Sequence, residues 1–179
     1  MYIILIGMMG SGKSAIGRAL AGMLFCPFWD LDVIVEEEMG LGIPEAFARY
    51  GEPYFRRKEA IMMLRLAEEN RSGVLVLGGG SVLSKEGMEA LRRVGKCVYL
   101  RASADVLVKR ATKRIYLRPL LANAPDPRKS LEQLLLNREG LYAGYADMVL
   151  DVDALGVRVA ARSICEEYRE WFEGAIVDN

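Results

Sequence analysis

One segment of this 179-residue chain constrains the fold more than any other: Gly7-Met8-Met9-Gly10-Ser11-Gly12-Lys13-Ser14. It follows the apolar run Tyr2–Ile6 and leads into Ser14–Leu24, where Ile16, Ala19, Leu20, Met23 and Leu24 recur on one helical face. A strand, a tight loop and a helix are thereby set in that order. The segment satisfies G-x-x-x-x-G-K-[ST], with Gly7, Gly12, Lys13 and Ser14 at the four specified places. Glycines suit such a loop because its amides must turn inward and approach phosphate oxygens with no Cβ in the way. The helix that follows adds unpaired N–H groups and the positive end of its dipole. Lys13, expected to be exposed in the loop, supplies a full charge to the β/γ-phosphates, and the Ser14 hydroxyl is placed to ligate Mg²⁺. With Gly10, Ser11, Gly12 and Ala15, these residues are the expected cradle for ATP.

The rest of the chain repeats the alternation. Phe28–Leu31, Val74–Leu77, Cys97–Leu100 and Met148–Leu150 read as further strands, separated by helix-length stretches that include Val33–Met39 and Val157–Phe172. This βαβα order predicts an α/β fold: a five-stranded, mostly parallel sheet with helices on both faces. No internal repeat, low-complexity tract or linker divides the chain. The long irregular stretch Thr112–Pro127, rich in Arg, Asn and Pro, reads either as a mobile lid or as a tolerated surface loop.

Composition narrows the chemistry. Lys plus Arg and Asp plus Glu both number 24, so no global field recruits nucleic acid or an anionic membrane surface. Tyr2–Met9 is too short to span a bilayer, and no signal-peptide pattern is visible, so a cytoplasmic protein is expected. Cys26, Cys97 and Cys165 are isolated and odd in number, which predicts core thiols rather than a disulfide or metal framework. Histidine is absent, so no imidazole acts as base or ligand.

A second group of residues reads as an acceptor site. Asp30 and Asp32 lie two apart, and on an extended chain both carboxylates would point the same way. Beside a phosphate loop, one can hold Mg²⁺ through its water shell while the other accepts a hydrogen bond, and a proton, from an attacking hydroxyl. The alternative is that Asp32 simply caps the helix beginning at Val33. Gly51–Glu59 carries a basic knot around Arg56 that could equally be a solvated helix face. Gly78-Gly79-Gly80 closes a strand at the sheet edge where ligands approach, either offering bare backbone to a flat ring or forming a flexible turn. Arg118 lies in the long loop and Arg138 in a helix, suited respectively to a transferring phosphoryl group and to a carboxylate.

Taken in order, the phosphate loop, Asp30-x-Asp32, Gly51-Glu52-x-x-Phe55-Arg56-x-x-Glu59, Gly78–Gly80, Arg118-Pro119-Leu120-Leu121 and Arg138-x-x-Leu141-Tyr142 resemble shikimate kinase, of the nucleoside-monophosphate-kinase-like P-loop fold. The resemblance implies one kinase domain over residues 1–179, with an acceptor-binding segment near 32–60 and a lid near 112–127. It implies ATP-dependent phosphorylation of the 3-hydroxyl of shikimate, on the route to chorismate and the aromatic amino acids, by a monomer with no nucleic-acid or membrane partner. Shikimate would be held by Asp32, Arg56, Gly78, Gly79, Gly80 and Arg138, with both arginines on its carboxylate and Asp32 on its ring hydroxyls. Asp30 would be the acid on the magnesium side, and Arg110 would lie against adenine. Arg118 would meet phosphate, so that Lys13, Asp32 and Arg118 form the catalytic set. The chain departs from the family pattern at Glu139-Gly140, where the family carries a proline and a looser helix is expected. It departs also within Ala111–Leu117 and at Val152-Asp153-Ala154. Another small-molecule kinase of the same fold, such as a gluconate kinase, and a catalytically silent nucleotide-binding relative remain as alternatives.

Overall fold

The computed structural model describes residues 1–69, 71–117, 119–122 and 124–177, leaving aside the side chains of Arg114, Ile115, Leu117 and residues 175–177. Five strands form one sheet: β1 (Tyr2–Ile6), β2 (Phe28–Asp30), β3 (Gly73–Val76), β4 (Gly95–Arg101) and β5 (Met148–Asp151). Their order is β2-β3-β1-β4-β5, and every pairing is parallel. Strand β1 is central, with Tyr2 opposite Gly73 on one side and Gly95 on the other. All five of its side chains are buried, which explains a continuous apolar run rather than an alternating one.

The helices are α1 (Lys13–Leu24), α2 (Leu31–Met39), α3 (Ile43–Glu68), α4 (Lys85–Arg93), α5 (Ala104–Ala111), α6 (Pro119–Ala122), α7 (Pro127–Tyr145) and α8 (Val157–Val177). The step from β1 to β2 runs across the sheet in one direction, and the steps from β2 through β5 run in the other. With right-handed crossovers, α1 then covers one face and α3, α4 and α7 the opposite face. Helix α8 packs on α1, and α3 packs on α4. Helix α3 is two helical segments joined at Gly51, whose φ of 78° and ψ of 166° lie outside the range of residues with a Cβ. Pro53 follows at the start of the second segment, where a missing backbone N–H costs little.

Several local expectations are corrected. Strand β2 ends at Asp30, a residue earlier than the apolar pattern suggested, and Leu31 already begins α2. Asp30, not Asp32, is the helix cap: its Oδ1 accepts from the Asp32 amide at 3.2 Å. The pair therefore spans a strand-to-helix corner rather than an extended chain. The segment expected to be irregular holds 3₁₀ turns over Thr112–Leu117 and the short α6, and α7 runs unbroken through Glu139-Gly140. Because all strands are parallel, the loops after β1, β2 and β3 leave the same edge of the sheet, and that edge carries the site.

Candidate active site

The loop after β1 turns through Gly7, Gly10 and Gly12, all with positive φ, and Gly12 caps α1 in the left-handed region at φ 94°. Lys13 is not exposed as expected. It is 8% accessible, and its Nζ donates to the carbonyls of Gly7 at 2.8 Å and Met8 at 3.1 Å. The ammonium is thus stitched across the loop that it completes. Ser14 Oγ donates to Asp30 Oδ2 at 2.9 Å, so one carboxylate caps α2 with one oxygen and holds the phosphate-loop serine with the other. Ser11 is wholly buried and its hydroxyl finds no partner among the described residues; it does not line the cavity.

Facing this loop, Asp32 lies in the first turn of α2. Burial, then the nearby Glu59 and Asp30 carboxylates, push its pKa up to about 6 against the pull of Lys13 and Arg56. Arg56, on the second segment of α3, donates from Nη1 to Glu59 Oε2 at 2.7 Å and from Nε to Glu52 Oε1 at 3.1 Å. Burial acts to lower its pKa, but the two glutamates outweigh it and raise the value further. Glu59 is 2% accessible and accepts from Ser81 Oγ at 2.6 Å through its other oxygen.

Two of the three glycines after β3, Gly78 and Gly80, serve these side chains before any ligand. A Cβ on Gly80 would lie 2.3 Å from the Arg56 guanidinium, and one on Gly78 would lie 2.6 Å from Asp32 Oδ1 and 2.8 Å from Glu59 Oε1. The ring-platform reading is therefore incomplete: bare backbone is needed first so that Arg56 and Asp32 can pack against it. From α7, buried Arg138 donates to the Gly79 carbonyl at 3.3 Å, with the Tyr142 hydroxyl on the same oxygen.

These groups enclose one cavity of about 570 Å³. Gly10, Gly12, Lys13, Ser14 and Ala15 form its phosphate end, with Asp30 and Arg110. Asp32, Arg56, Gly78, Gly79, Gly80 and Arg138 form the other end. Arg110 also donates to the Val152 carbonyl at 3.4 Å, and Asp153 accepts from the Ser103 amide at 2.9 Å, which ties the loop after β5 to the N-terminus of α5. Arg118 lies outside the described residues, but its neighbours Pro119 and Leu120 reach the cavity. Leu121 beside them is buried. The sequence reading assigned no role to Glu59, Ser81 or Tyr142. The i, i+3 spacing of Arg56 and Glu59 on a helix was a usable signal for the first; nothing local signalled the other two.

The shikimate kinase family model matches residues 9–169. The shikimate kinase of Bordetella pertussis strain Tohama I is 44% identical over 162 residues, covering 90% of this chain and 75% of that one. The shikimate kinase of Pseudomonas syringae pv. tomato is 43% identical over 168 residues, covering 94% and 96%. Among solved structures, shikimate kinase from Acinetobacter baumannii in complex with shikimate superposes with a TM-score of 0.88 at 32% identity, covering 94% of this chain and 93% of that one.

Proposed function

The chain belongs to the shikimate kinase family and phosphorylates shikimate with ATP; we propose the following division of that work among its residues. The carrying observation is the single cavity that joins a phosphate loop at one end to two arginines and a basic carboxylate at the other. The loop amides and Lys13 hold the β- and γ-phosphates, and Arg110 lies beside the adenine. Arg56 and Arg138 take the shikimate carboxylate, while Gly78, Gly79 and Gly80 line its ring.

Asp32 accepts a hydrogen bond from the 3-hydroxyl and then its proton. The hydroxyl oxygen bonds to the γ-phosphorus, the bond to the β–γ bridging oxygen breaks, and ADP departs with that electron pair. A carboxylate whose pKa is raised to about 6 is better matched to this proton transfer than an ordinary one. Arg118 is assigned to the transferring phosphoryl group on the strength of the sequence resemblance.

The Ser14 hydroxyl and Asp30 Oδ2, 2.9 Å apart, are hard oxygen donors that suit Mg²⁺. Among the described residues no cluster of three acidic, Cys or His side chains could hold a metal alone, so the phosphates and water would complete the shell. A magnesium ion held by these oxygens would supply charge neutralisation on the phosphate oxygens.

Residues 1–179 are taken as one kinase domain acting as a monomer in the cytoplasm, with residues 112–127 as its lid. No helix among the described residues is long and apolar enough to cross a membrane. ADP release measured with shikimate, gluconate and quinate side by side tests the assignment. Turnover with shikimate alone is expected; equal turnover with gluconate would overturn the substrate assignment.

A further inference from the structure

Arg138 and Tyr142 lie one turn apart on α7 and converge on one acceptor. The Tyr142 hydroxyl donates to the Gly79 carbonyl at 2.5 Å, and Arg138 Nη1 donates to the same oxygen at 3.3 Å. The guanidinium also lies against the Tyr142 hydroxyl. The Tyr142 ring is wholly buried, stacks on Tyr99 of β4 with centroids 5.1 Å apart, and places its hydroxyl 4.0 Å from Met8 Sδ. Burial raises its pKa well above the ordinary phenol value, so it remains a donor throughout the neutral range.

We propose that Tyr142 is a positioning residue for the acceptor: by satisfying the Gly79 carbonyl, it leaves the Arg138 guanidinium available to the substrate carboxylate. This rests on the reading that Arg138 binds that carboxylate. A backbone carbonyl in a buried setting takes a donor wherever one is within reach. Here two are within reach. The nearer is neutral and held rigid by ring packing; the farther is charged and sits on a long side chain. With the hydroxyl gone, Arg138 becomes the remaining donor, and an incoming carboxylate must compete with the carbonyl for it. Arg56 compensates only in part, because its guanidinium is shared with Glu59 and Glu52. Among the described residues Arg138 meets a carbonyl and a hydroxyl rather than a carboxylate, so of the two arginines its charge is the less neutralised toward an incoming anion.

The test uses Tyr142→Phe, Arg138→Met and the double variant in steady-state assays, with thermal midpoints. Tyr142→Phe keeps the stacking ring and should raise KM for shikimate about five- to twentyfold, with kcat and KM for ATP within about twofold of the parent. Arg138→Met should raise KM for shikimate further, and the double variant should match Arg138→Met alone, since Tyr142 acts through Arg138. If Arg138→Met raises KM but Tyr142→Phe does not, the inference fails while the carboxylate reading stands. If Arg138→Met leaves KM unchanged, that reading falls and the inference with it. Parallel losses for both substrates, multiplying effects in the double variant, or a Tyr142→Phe chain too unstable to assay would show that the hydroxyl serves the fold instead.

Discussion

Asp32 carries a pKa of about 6 because it is buried, with the Glu59 and Asp30 carboxylates beside it. Between roughly pH 4 and 6 the folded chain therefore binds a proton at Asp32 more readily than the unfolded chain does. Stability falls as pH rises through that window, and the full penalty is present above it. Asp32→Asn should accordingly raise stability at pH 7 by about 1–2 kcal/mol, a few degrees in melting temperature, and by nothing below about pH 4. The same variant should abolish turnover, and the parent's kcat/KM should fall on the acid side with an apparent pKa near 6. A melting temperature that the substitution lowers at pH 7 would contradict the strained-carboxylate account. The two arginines separate in a different way. Arg56→Ala strips buried Glu59 of its cation and should cost roughly 2 kcal/mol of stability. Arg138→Ala removes a charge that has no carboxylate partner among the described residues and should cost less, although both variants should raise KM for shikimate at least about tenfold. Thermal melts beside kinetics check the contrast. At this scale the motif positions were legible because each side-chain type matches a chemical task. That Lys13 would be buried against Gly7 and Met8 carbonyls was not, since a loop's curvature is not written in residue spacing.

The strands and helices α1, α2 and α8 followed from hydrophobic patterning, whereas the bounds of α3 and α7 did not, and β1 lies where its apolar run does. What patterning could not show was which aspartate begins α2. A strand end and a helix cap compete for the same residue, and the cap hydrogen bond from Asp30 decides it. The glycine turn after β3 yields a prediction at this level. Gly80 has φ −99°, a conformation that alanine accepts, so Gly80→Ala should fold. Its methyl group must nevertheless displace the Arg56 guanidinium, and kcat/KM for shikimate should drop on the order of ten- to a hundredfold while KM for ATP holds. Equal losses for both substrates would mean that the turn itself had collapsed. The segment 112–127 is expected to close over the nucleotide. Pro119 and Leu120 already face Pro44 and Phe47 across a small apolar gap that closure could fill. Amide hydrogen exchange in this segment should slow when ADP and shikimate are added together; unchanged exchange would make it a fixed wall.

Across the whole molecule, the site is assembled from residues spread between Gly10 and Arg138, brought together by the edge of a parallel sheet. The sheet class was legible from the alternation of elements, but the order β2-β3-β1-β4-β5 was not, because parallel pairing leaves no local trace. Central placement of β1 has a kinetic consequence. Tyr2 finds its neighbours only at Gly73 and Gly95, so the strand made first is completed by partners far along the chain. Loops that long are slow to close, and the pairings reward closure only once made. Until β3 and β4 flank β1, the turn that follows it has no rigid base, and a growing chain that has not passed Gly95 offers ATP no socket.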